Sequence, residues 1–585
     1  MTLFISLLLS FAAVRGFRFA ITADYIKSAD LYSFCWLLLF FFLVWTLHRV
    51  ITQKNKRLIV YAALFALIIS TFSIFGTSIA KMRRISWIWE SRNYLLNFLN
   101  LYFAQFILYF CASYLAYQWL ESRTSREPSC QNAHFSFRKA LLWWGLLFLC
   151  YLPWYLYLYP GMLSPDSGAQ IRDAITIGSL NDHHSAFLDL VLRGILVPVK
   201  SLTGSLQTGV GICTLLQMLT LTFAFGFCYE WMRQYIRNIL LRITSFLWFA
   251  FLPVHNLFSV TLWKDILFSA CFLFLLMTLD SAARDEASFF RSRMKQAALF
   301  LTLLLLPLMR HNGLSVTLVM AVYLFFRFSA HRRQTAVICI SVLAAFGIWD
   351  FLVLPALHTI KVTPAHIYSV QEQQIVRVLD EKRDELSGDD RRELESYFNM
   401  DEIWTVYNPI LSDPVKYQFN NEKFNENPGK FLSLWLSLGI RYPVIYLEAF
   451  LMNNYGFWSP EINYWYSDFY MADAAKIEDI HPAPVFSPGI IEKVYNWFRH
   501  YEFLKTPLVI HLFNAGSSFW MWIFCGVWCL YQNRQKFLLF VPGAALWLGL
   551  LVAPLATDFR YAYGLFIGLP LLLAASLTAR DPKQE

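Results

Sequence analysis

Charged residues are scarce in this sequence. They make up 15% of its 585 residues, whereas 57% are hydrophobic and 18% are aromatic. A soluble domain of this size does not carry so much apolar surface, so the composition predicts a polytopic membrane protein. The formal net charge of +9 requires no nucleic-acid partner, because Lys and Arg collect in the cytoplasmic loops of membrane proteins.

Motifs that mark several enzyme classes are also absent. The sequence has no glycine-rich phosphate loop, no Cys-x-x-Cys pair and no helical zinc-protease motif. Residues 357–506 contain no cysteine, so this long stretch is not built on disulfides. The sequence has no internal repeat, and its charges lie at the ends of the hydrophobic segments rather than at their centres, which disfavours a secondary transporter.

What the chain does contain is a series of hydrophobic segments of about the length that crosses a bilayer. We predict an all-α polytopic membrane protein with about 14 transmembrane helices and one large extracytoplasmic helical loop region. The predicted spans are residues 3–21, 31–50, 58–79, 96–119, 140–158, 206–229, 240–258, 264–282, 296–309, 313–329, 335–356, 507–531, 537–556 and 560–579.

The basic residues between these spans predict the orientation in the membrane. Nearly all of them fall on the same side as both termini, and that side should be cytoplasmic. The exception is the loop that contains Lys81, Arg83 and Arg84. Trp87 and Trp89 follow it, and such amphipathic rings predict a helix at the membrane interface.

The pattern divides the chain into four parts. In the third part, Ile375, Val378 and Leu379 have the spacing of an amphipathic helix. Residues 431–457 are apolar but broken by a proline, which predicts two interfacial helices rather than a span. The four parts are an N-terminal transmembrane module at 1–120, a core transmembrane module at 139–356 with a first outer loop at 159–205, an extracytoplasmic region at 357–506, and C-terminal transmembrane helices at 507–585.

Ionisable residues stand at the outer ends of the predicted spans, where they are costly unless they are paired or functional. The first is Asp166, which lies in a turn at residues 159–170 that contains two prolines and two glycines. A carboxylate held in this way at the membrane boundary suits a general base. The alternative is a polar loop that only joins two spans.

Residues after this turn and at three other span ends bring more charge to the same face. Each one alone is explained equally well as an interfacial anchor. Together they supply a carboxylate and three fixed cations, which suit a substrate with an anionic phosphate and a neutral nucleophile. The candidate site residues besides Asp166 are Gln170, Asp182, His183, His184, Lys264, Asp265, Arg310, His311, Arg560 and Tyr561.

As a set, these motifs resemble those of bacterial members of the GT-C glycosyltransferase superfamily. The resemblance covers about 140–580 and implies a GT-C-like multi-pass fold, an active site on the outer face and a lipid-linked sugar donor. The motifs that carry it are Tyr159-Pro160-Gly161, Ser164-Pro165-Asp166-Ser167 with Gln170, Asp182-His183-His184, Trp263-Lys264-Asp265, Arg310-His311-Asn312-Gly313 and Arg560-Tyr561.

The resemblance also implies roles for these residues. Asp166 is expected to be the catalytic base, and Asp182 is the candidate for the second acid that many members carry in this loop. In the family the two acids are usually adjacent, but in this sequence they are not. Arg560 is the first choice for binding the donor phosphate, since a planar guanidinium can hold two phosphate oxygens. Tyr561, Lys264 and Arg310 are the other candidates for that role.

We therefore expect an inverting membrane glycosyltransferase of the bacterial plasma membrane that uses a polyprenyl-phosphate sugar and contacts membrane lipid. Its acceptor would be a cell-envelope glycan, a teichoic acid, a lipid or a protein. The alternatives are a polysaccharide polymerase or ligase, and a lipid or polysaccharide transporter. No cofactor is required by this chemistry. His183, His184 and Asp166 offer ligands for a divalent metal, but a His pair beside a loop more often makes plain hydrogen bonds.

Overall fold

The computed structural model describes residues 1–21, 29–124, 135–176, 180–459, 469–506, 509–552 and 557–577. Within these ranges the chain is helical and contains no β-strand, only isolated bridges, as the sequence predicts. The α-helices of eight or more residues are Thr2–Ile21, Ala29–Gln53, Lys56–Met82, Arg92–Thr124, Phe137–Tyr157, Pro165–Ile175, Ala186–Thr203, Leu206–Met232, Ile239–Phe251, Lys264–Arg284, Arg293–Met309, Gly313–Arg327, Arg332–Ile348, Ser369–Lys382, Gly388–Glu395, Pro428–Arg441, Pro443–Asn454, Gly489–Arg499, Ala515–Gln532, Phe540–Val552 and Phe559–Ser576.

Nine helices in the described part of the chain are long and apolar enough to cross a membrane. The number rises to eleven if each of two bent helix pairs is one span. One bent pair is Ile239–Phe251 with Pro253–Ser259, which meet at 42°. A proline at the first position of the second helix accounts for the bend, because it lacks an N–H for the helical ladder. The chain is thus a helical membrane protein.

Polar side chains mark where the long helices begin. Asn55 caps the helix Lys56–Met82 and Ser205 caps Leu206–Met232, in each case with an oxygen that accepts a backbone N–H of the first turn. Such a cap satisfies one of the N–H groups that a helix start leaves unpaired. The boundaries therefore follow from local sequence as well as from hydrophobic length.

Two helices form the centre of the bundle. Lys264–Arg284 and Phe559–Ser576 pack against each other, and most of their residues are buried. Each of them begins with residues from the predicted site, Lys264 in one and Arg560 in the other. The centre of the bundle thus places both cations at the N-terminal ends of neighbouring helices.

The loop that departs from the charge rule lies against residues of the 357–506 stretch. The backbone N–H groups of Ile85 and Ser86 donate to the Glu448 carboxylate at 2.7 and 2.9 Å. Arg377 donates to the carbonyl of Arg83 at 2.9 Å. These bonds place the loop at the same end of the bundle as the 357–506 stretch. Residues Ser86–Trp89 form one 3₁₀ turn.

The 357–506 stretch is mostly helical and has a core of its own. The predicted amphipathic helix forms at Ser369–Lys382, and Ile375, Val378 and Leu379 are buried, as the spacing predicts. The apolar residues that follow form Pro428–Arg441 and Pro443–Phe457, which meet at 107°. The sharp bend falls where the sequence places its proline.

Candidate functional site

One cavity of about 770 Å³ lies between the bundle and the 357–506 stretch. Nine of the eleven predicted site residues line it. Four separate stretches of the sequence therefore meet in one place. The predicted residues in its wall are Asp166, Asp182, His183, His184, Lys264, Arg310, His311, Arg560 and Tyr561.

The turn that carries Asp166 is tied to the segment just before Lys264. Ser164 caps the helix Pro165–Ile175 in a reciprocal capping box, and Trp263 Nε1 donates to its hydroxyl at 2.7 Å. These bonds fix the first turn of the helix, where Asp166 lies. A carboxylate is also favoured there by the helix dipole.

Asp166 forms an ion pair with Arg560, with 2.9 Å between Oδ2 and Nη1. The Asp166 side chain is 40% exposed and Arg560 only 9% exposed, so the carboxylate faces the cavity while the guanidinium is enclosed. Burial disfavours the charged carboxylate, but the nearby Arg560, His184 and Lys264 outweigh this effect and hold the pKa of Asp166 well below its ordinary value. Asp166 is therefore ionised at neutral pH.

Arg560 has several partners besides Asp166. Its Nε lies 3.0 Å from Asp558, and Nη2 donates to the Tyr561 hydroxyl at 3.0 Å. The guanidinium also lies over the Trp263 ring, 5.0 Å from the ring centre. Arg560, the residue that the sequence favoured for phosphate binding, thus already contacts two carboxylates and two aromatic rings.

Arg310 is held in a similar way. It pairs with Asp265 at 2.7 Å, and its guanidinium lies over the Tyr561 ring at 4.2 Å. Asp265 is 1% exposed and does not line the cavity, so its role in the geometry is to hold Arg310. Tyr561 lies between the two arginines and contacts both of them.

Lys264 is different from both arginines. Within the described residues its ammonium makes no ion pair within 4 Å, although Asp166 and Asp265 lie close enough to interact with it electrostatically. The side chain lines the cavity. Of the three predicted cations, Lys264 is thus the one that has no ion-pair partner among the described residues for an added anion to displace.

Asp182 lines the same cavity. Its backbone is fixed on both sides: its N–H donates to the carbonyl of Ile360 at 3.1 Å, and its own carbonyl is 2.7 Å from His311 Nε2. Burial raises the pKa of Asp182, and the neighbouring Asp350 raises it further. The cavity therefore contains two carboxylates with opposite pKa shifts.

Gln170 lies behind the cavity wall, and its side chain donates to Asp189 at 3.2 Å. Both residues are buried. This bond joins the helix of Asp166 to the helix Ala186–Thr203. Burial raises the pKa of Asp189 to about 7. Asp189 is not among the residues predicted from sequence, because a single acid in an apolar helix forms no motif.

Residues of the 357–506 stretch form another part of the cavity wall, and none of them was predicted from sequence. They lie in a polar stretch where nothing in the spacing separates a site residue from a solvated one. The imidazole of His366 contacts that of His183, with 4.2 Å between ring centres, and His183 contacts His184 at 4.4 Å. The lining residues from this side include His366, Asp413, Lys416, Tyr417 and Tyr470.

The imidazoles of His183 and His184 are neutral. Burial, together with the nearby Lys264, lowers the pKa of His183 to about 4 and that of His184 to about 3. No group of three or more His, Cys, Asp or Glu side chains in the described residues has an arrangement that could hold a metal ion. The ligand set formed by His183, His184 and Asp166 is therefore not assembled as a metal site.

The chain matches the model of one protein family, whose description is "Family of unknown function (DUF6020)", over residues 175–585. No curated protein and no solved structure matches it. The matched range contains every predicted site residue in the cavity wall except Asp166.

Proposed function

We propose that this chain, which belongs to the DUF6020 family, is an inverting membrane glycosyltransferase. It would move a sugar from a polyprenyl-phosphate carrier to an extracytoplasmic acceptor. The observation that carries the proposal is the cavity itself. An ionised carboxylate, Asp166, and the ammonium of Lys264, which forms no ion pair within the described residues, line the same space at the ends of apolar helices.

A lipid-linked sugar phosphate fits the position of the cavity. The site lies at the end of an apolar bundle, so a lipid carrier can reach it from the membrane. Lys264 and Arg560 stand in the first turns of two central helices, and helix N-termini favour anions. A phosphate placed there meets two helix dipoles and an unpaired ammonium.

The pairing of the cations changes the expected phosphate partner. Arg560 was the first choice from sequence, but it is already engaged by Asp166 and Asp558. Lys264 has no such competitor within the described residues. We therefore assign the direct phosphate contact to Lys264, and we assign to Arg560 the task of orienting Asp166.

The reaction requires one displacement. The acceptor oxygen attacks the anomeric carbon from the face opposite the phosphate, and the bond between that carbon and the phosphate oxygen breaks. The electron pair leaves with the carrier phosphate, where Lys264 stabilises the new charge. The acceptor proton passes to the Asp166 carboxylate. The products are a glycoside of inverted configuration and polyprenyl phosphate.

The membrane arrangement that accompanies this proposal has fourteen crossings, with both termini in the cytoplasm and the cavity on the outer face of a bacterial plasma membrane. A labelling experiment tests it. A cysteine at position 533, in an Asn533→Cys variant, should react with an impermeant maleimide only after the cells are opened. Labelling in intact cells would contradict this topology.

The activity is tested with purified full-length protein in nanodiscs and a panel of radiolabelled polyprenyl-phosphate monosaccharides. We expect at least one donor to be consumed, with release of polyprenyl phosphate. A polymerase or ligase would consume lipid-linked oligosaccharides instead, and a transporter would move substrate without breaking the sugar–phosphate bond. Failure to consume any monosaccharide donor, with or without a cell-envelope extract as acceptor, would refute the proposal.

A further inference from the structure

The cavity has two halves of different chemistry. The half nearest the bundle centre contains Lys264, Arg310 and Arg560 beside Asp166. The other half is formed largely by residues of the 357–506 stretch together with His183 and His184. A volume of about 770 Å³ exceeds the space that one monosaccharide phosphate needs, since ligand sites of about 300 Å³ already hold small molecules.

The described residues of the 357–506 stretch that line the second half offer hydrogen-bonding groups without a net charge. Lys416 is the one cation among them, and it is paired with Asp413 at 2.5 Å. The Lys416 side chain is only 3% exposed, so the pair presents a dipole to the cavity rather than a positive charge. An anionic ligand would have to compete with the Asp413 carboxylate for this lysine.

Three imidazoles complete this half. His183 contacts both His184 and His366 through ring faces and edges. The Nδ1 atom of His366 is taken by Thr363 at 2.7 Å, whereas the rings of His183 and His184 make no hydrogen bond within the described residues. Open ring nitrogens in a cavity are available to donate to or accept from a ligand.

Flat rings and neutral hydrogen-bonding atoms together are typical of sugar recognition, because a sugar presents apolar C–H faces and many hydroxyls. Tyr417 adds a phenol ring at the cavity wall and is 75% exposed. A phosphate or carboxylate would gain little from the residues of the 357–506 stretch, because the one cation among their described lining residues, Lys416, is already paired. The same anion would find Lys264 in the other half.

We infer that the half of the cavity lined by His183, His184, His366 and the Asp413–Lys416 pair binds an uncharged sugar. This inference rests on the proposed function, in which that sugar is the acceptor, and it narrows the acceptor class to a neutral glycan end. His183, His184 and Asp166 line the same cavity, so a sugar held by the imidazoles lies within reach of the carboxylate that takes its proton.

Binding of neutral sugars can be measured without any donor. Saturation-transfer NMR on full-length protein in nanodiscs would use methyl glycosides of common hexoses, with glucose 6-phosphate and glucuronate as anionic probes. With inorganic phosphate present at saturation to occupy Lys264, we expect at least one methyl glycoside to give a signal and the anionic probes to bind about tenfold more weakly, because the 357–506 side has no unpaired cation among its described lining residues. His183→Phe and His366→Phe keep a flat ring but lose the ring nitrogens. Each variant should bind the glycoside about tenfold more weakly, because one or two hydrogen bonds to the sugar are lost.

His500 provides the matched control. It is an exposed histidine outside the cavity, and His500→Phe should leave the signal unchanged. Tighter binding of the anionic probes, an undiminished signal in both cavity variants, or no signal from any glycoside would overturn the inference. A signal that requires added Zn²⁺ would also overturn it, because the imidazoles would then be metal ligands.

The donor assay separates this inference from the proposed function. If glycosides bind through the histidines but no polyprenyl-phosphate sugar is consumed, the sugar site stands and the transferase does not. If a donor is consumed and the histidine variants change neither glycoside binding nor the acceptor KM, the transferase stands and the sugar site does not.

Discussion

Both ends of the helix Lys264–Arg284 lie among charged side chains. Only at the Lys264 end does a charged side chain lack an ion-pair partner within the described residues. At the far end Asp280 is fully buried and pairs with Lys536 at 2.7 Å and with Arg284 at 2.9 Å. Trp231 and Tyr235 also donate to it. At the near end Asp166 faces a cavity, and Lys264 has no ion-pair partner in the described part of the chain.

The difference shows what a charge in a membrane bundle signals. Asp280 and its partners satisfy one another completely and join three helical segments, so they serve the fold. The group around Asp166 is partly satisfied and borders empty volume, which is the arrangement that a ligand completes. Ionisable residues near spans are functional candidates by default. The group around Asp166 differs from the Asp280 cluster because it lines a cavity and includes a cation with no ion-pair partner in the described residues.

The largest effect is expected at Asp166. Asp166→Asn keeps the shape of the side chain but removes the base, so transfer should fall by about 10²–10⁴-fold. The amount of folded, inserted protein should stay near wild type, because the residue is partly exposed. Turnover with a consumed donor and size-exclusion profiles measure the two quantities. Near-normal turnover in the variant would remove Asp166 from the mechanism.

The opposite pattern is expected at Asp280. Asp280→Asn leaves the buried Lys536 and the partly exposed Arg284 without their counter-charge, which should cost about 3–5 kcal/mol of stability. Thermal denaturation in detergent should report this loss, while kcat per folded molecule stays unchanged. A variant with normal stability but lost turnover would mean that the closed cluster also acts in function.

The sequence predicted the helical membrane class and most of the side chains that meet in the cavity, and the reason is local. Hydrophobic length marks the spans, and Asp166, Lys264 and Arg560 stand at the ends of those spans, where a charge is conspicuous against an apolar background. Four such stretches at one end of the bundle must be near one another. That geometry explains why nine of the eleven predicted site residues line one cavity.

What the sequence could not predict is pairing. Nothing in the spacing shows that Asp166 and Asp558 both bind Arg560, or that Asp265 binds Arg310, because these contacts join residues that are distant in the chain or fixed by rotamers. His366 and Lys416 were also missed, since a polar stretch offers no contrast. The prediction of Arg560 as the main phosphate ligand rested on its chemistry alone.

The third prediction concerns Lys264, the cation without an ion-pair partner in the described residues. Lys264→Gln removes the charge but keeps most of the length, so the donor KM should rise about 10–100-fold if one charge-assisted contact to phosphate is lost. Lys536→Gln is the matched control, because that lysine is paired at the closed end and its loss should lower stability without changing KM. A normal donor KM in Lys264→Gln would exclude a phosphate role for this residue.

The smallest effect is expected at Arg560, and its size distinguishes orienting Asp166 from binding phosphate. Arg560→Lys retains a positive charge near Asp166 but loses the fork that reaches Asp166, Asp558 and Tyr561 together. If Arg560 only orients the base, kcat should fall by less than about tenfold, the cost of one weakened hydrogen bond, while the donor KM stays constant. If Arg560 binds the phosphate directly, the donor KM should rise as it does in Lys264→Gln.

Arg560→Ala would remove the partner of two carboxylates, so it should lower both kcat and stability more than the lysine variant does. Steady-state kinetics on both variants with one donor and one acceptor decide between the roles, and turnover within twofold of wild type in Arg560→Ala would exclude both.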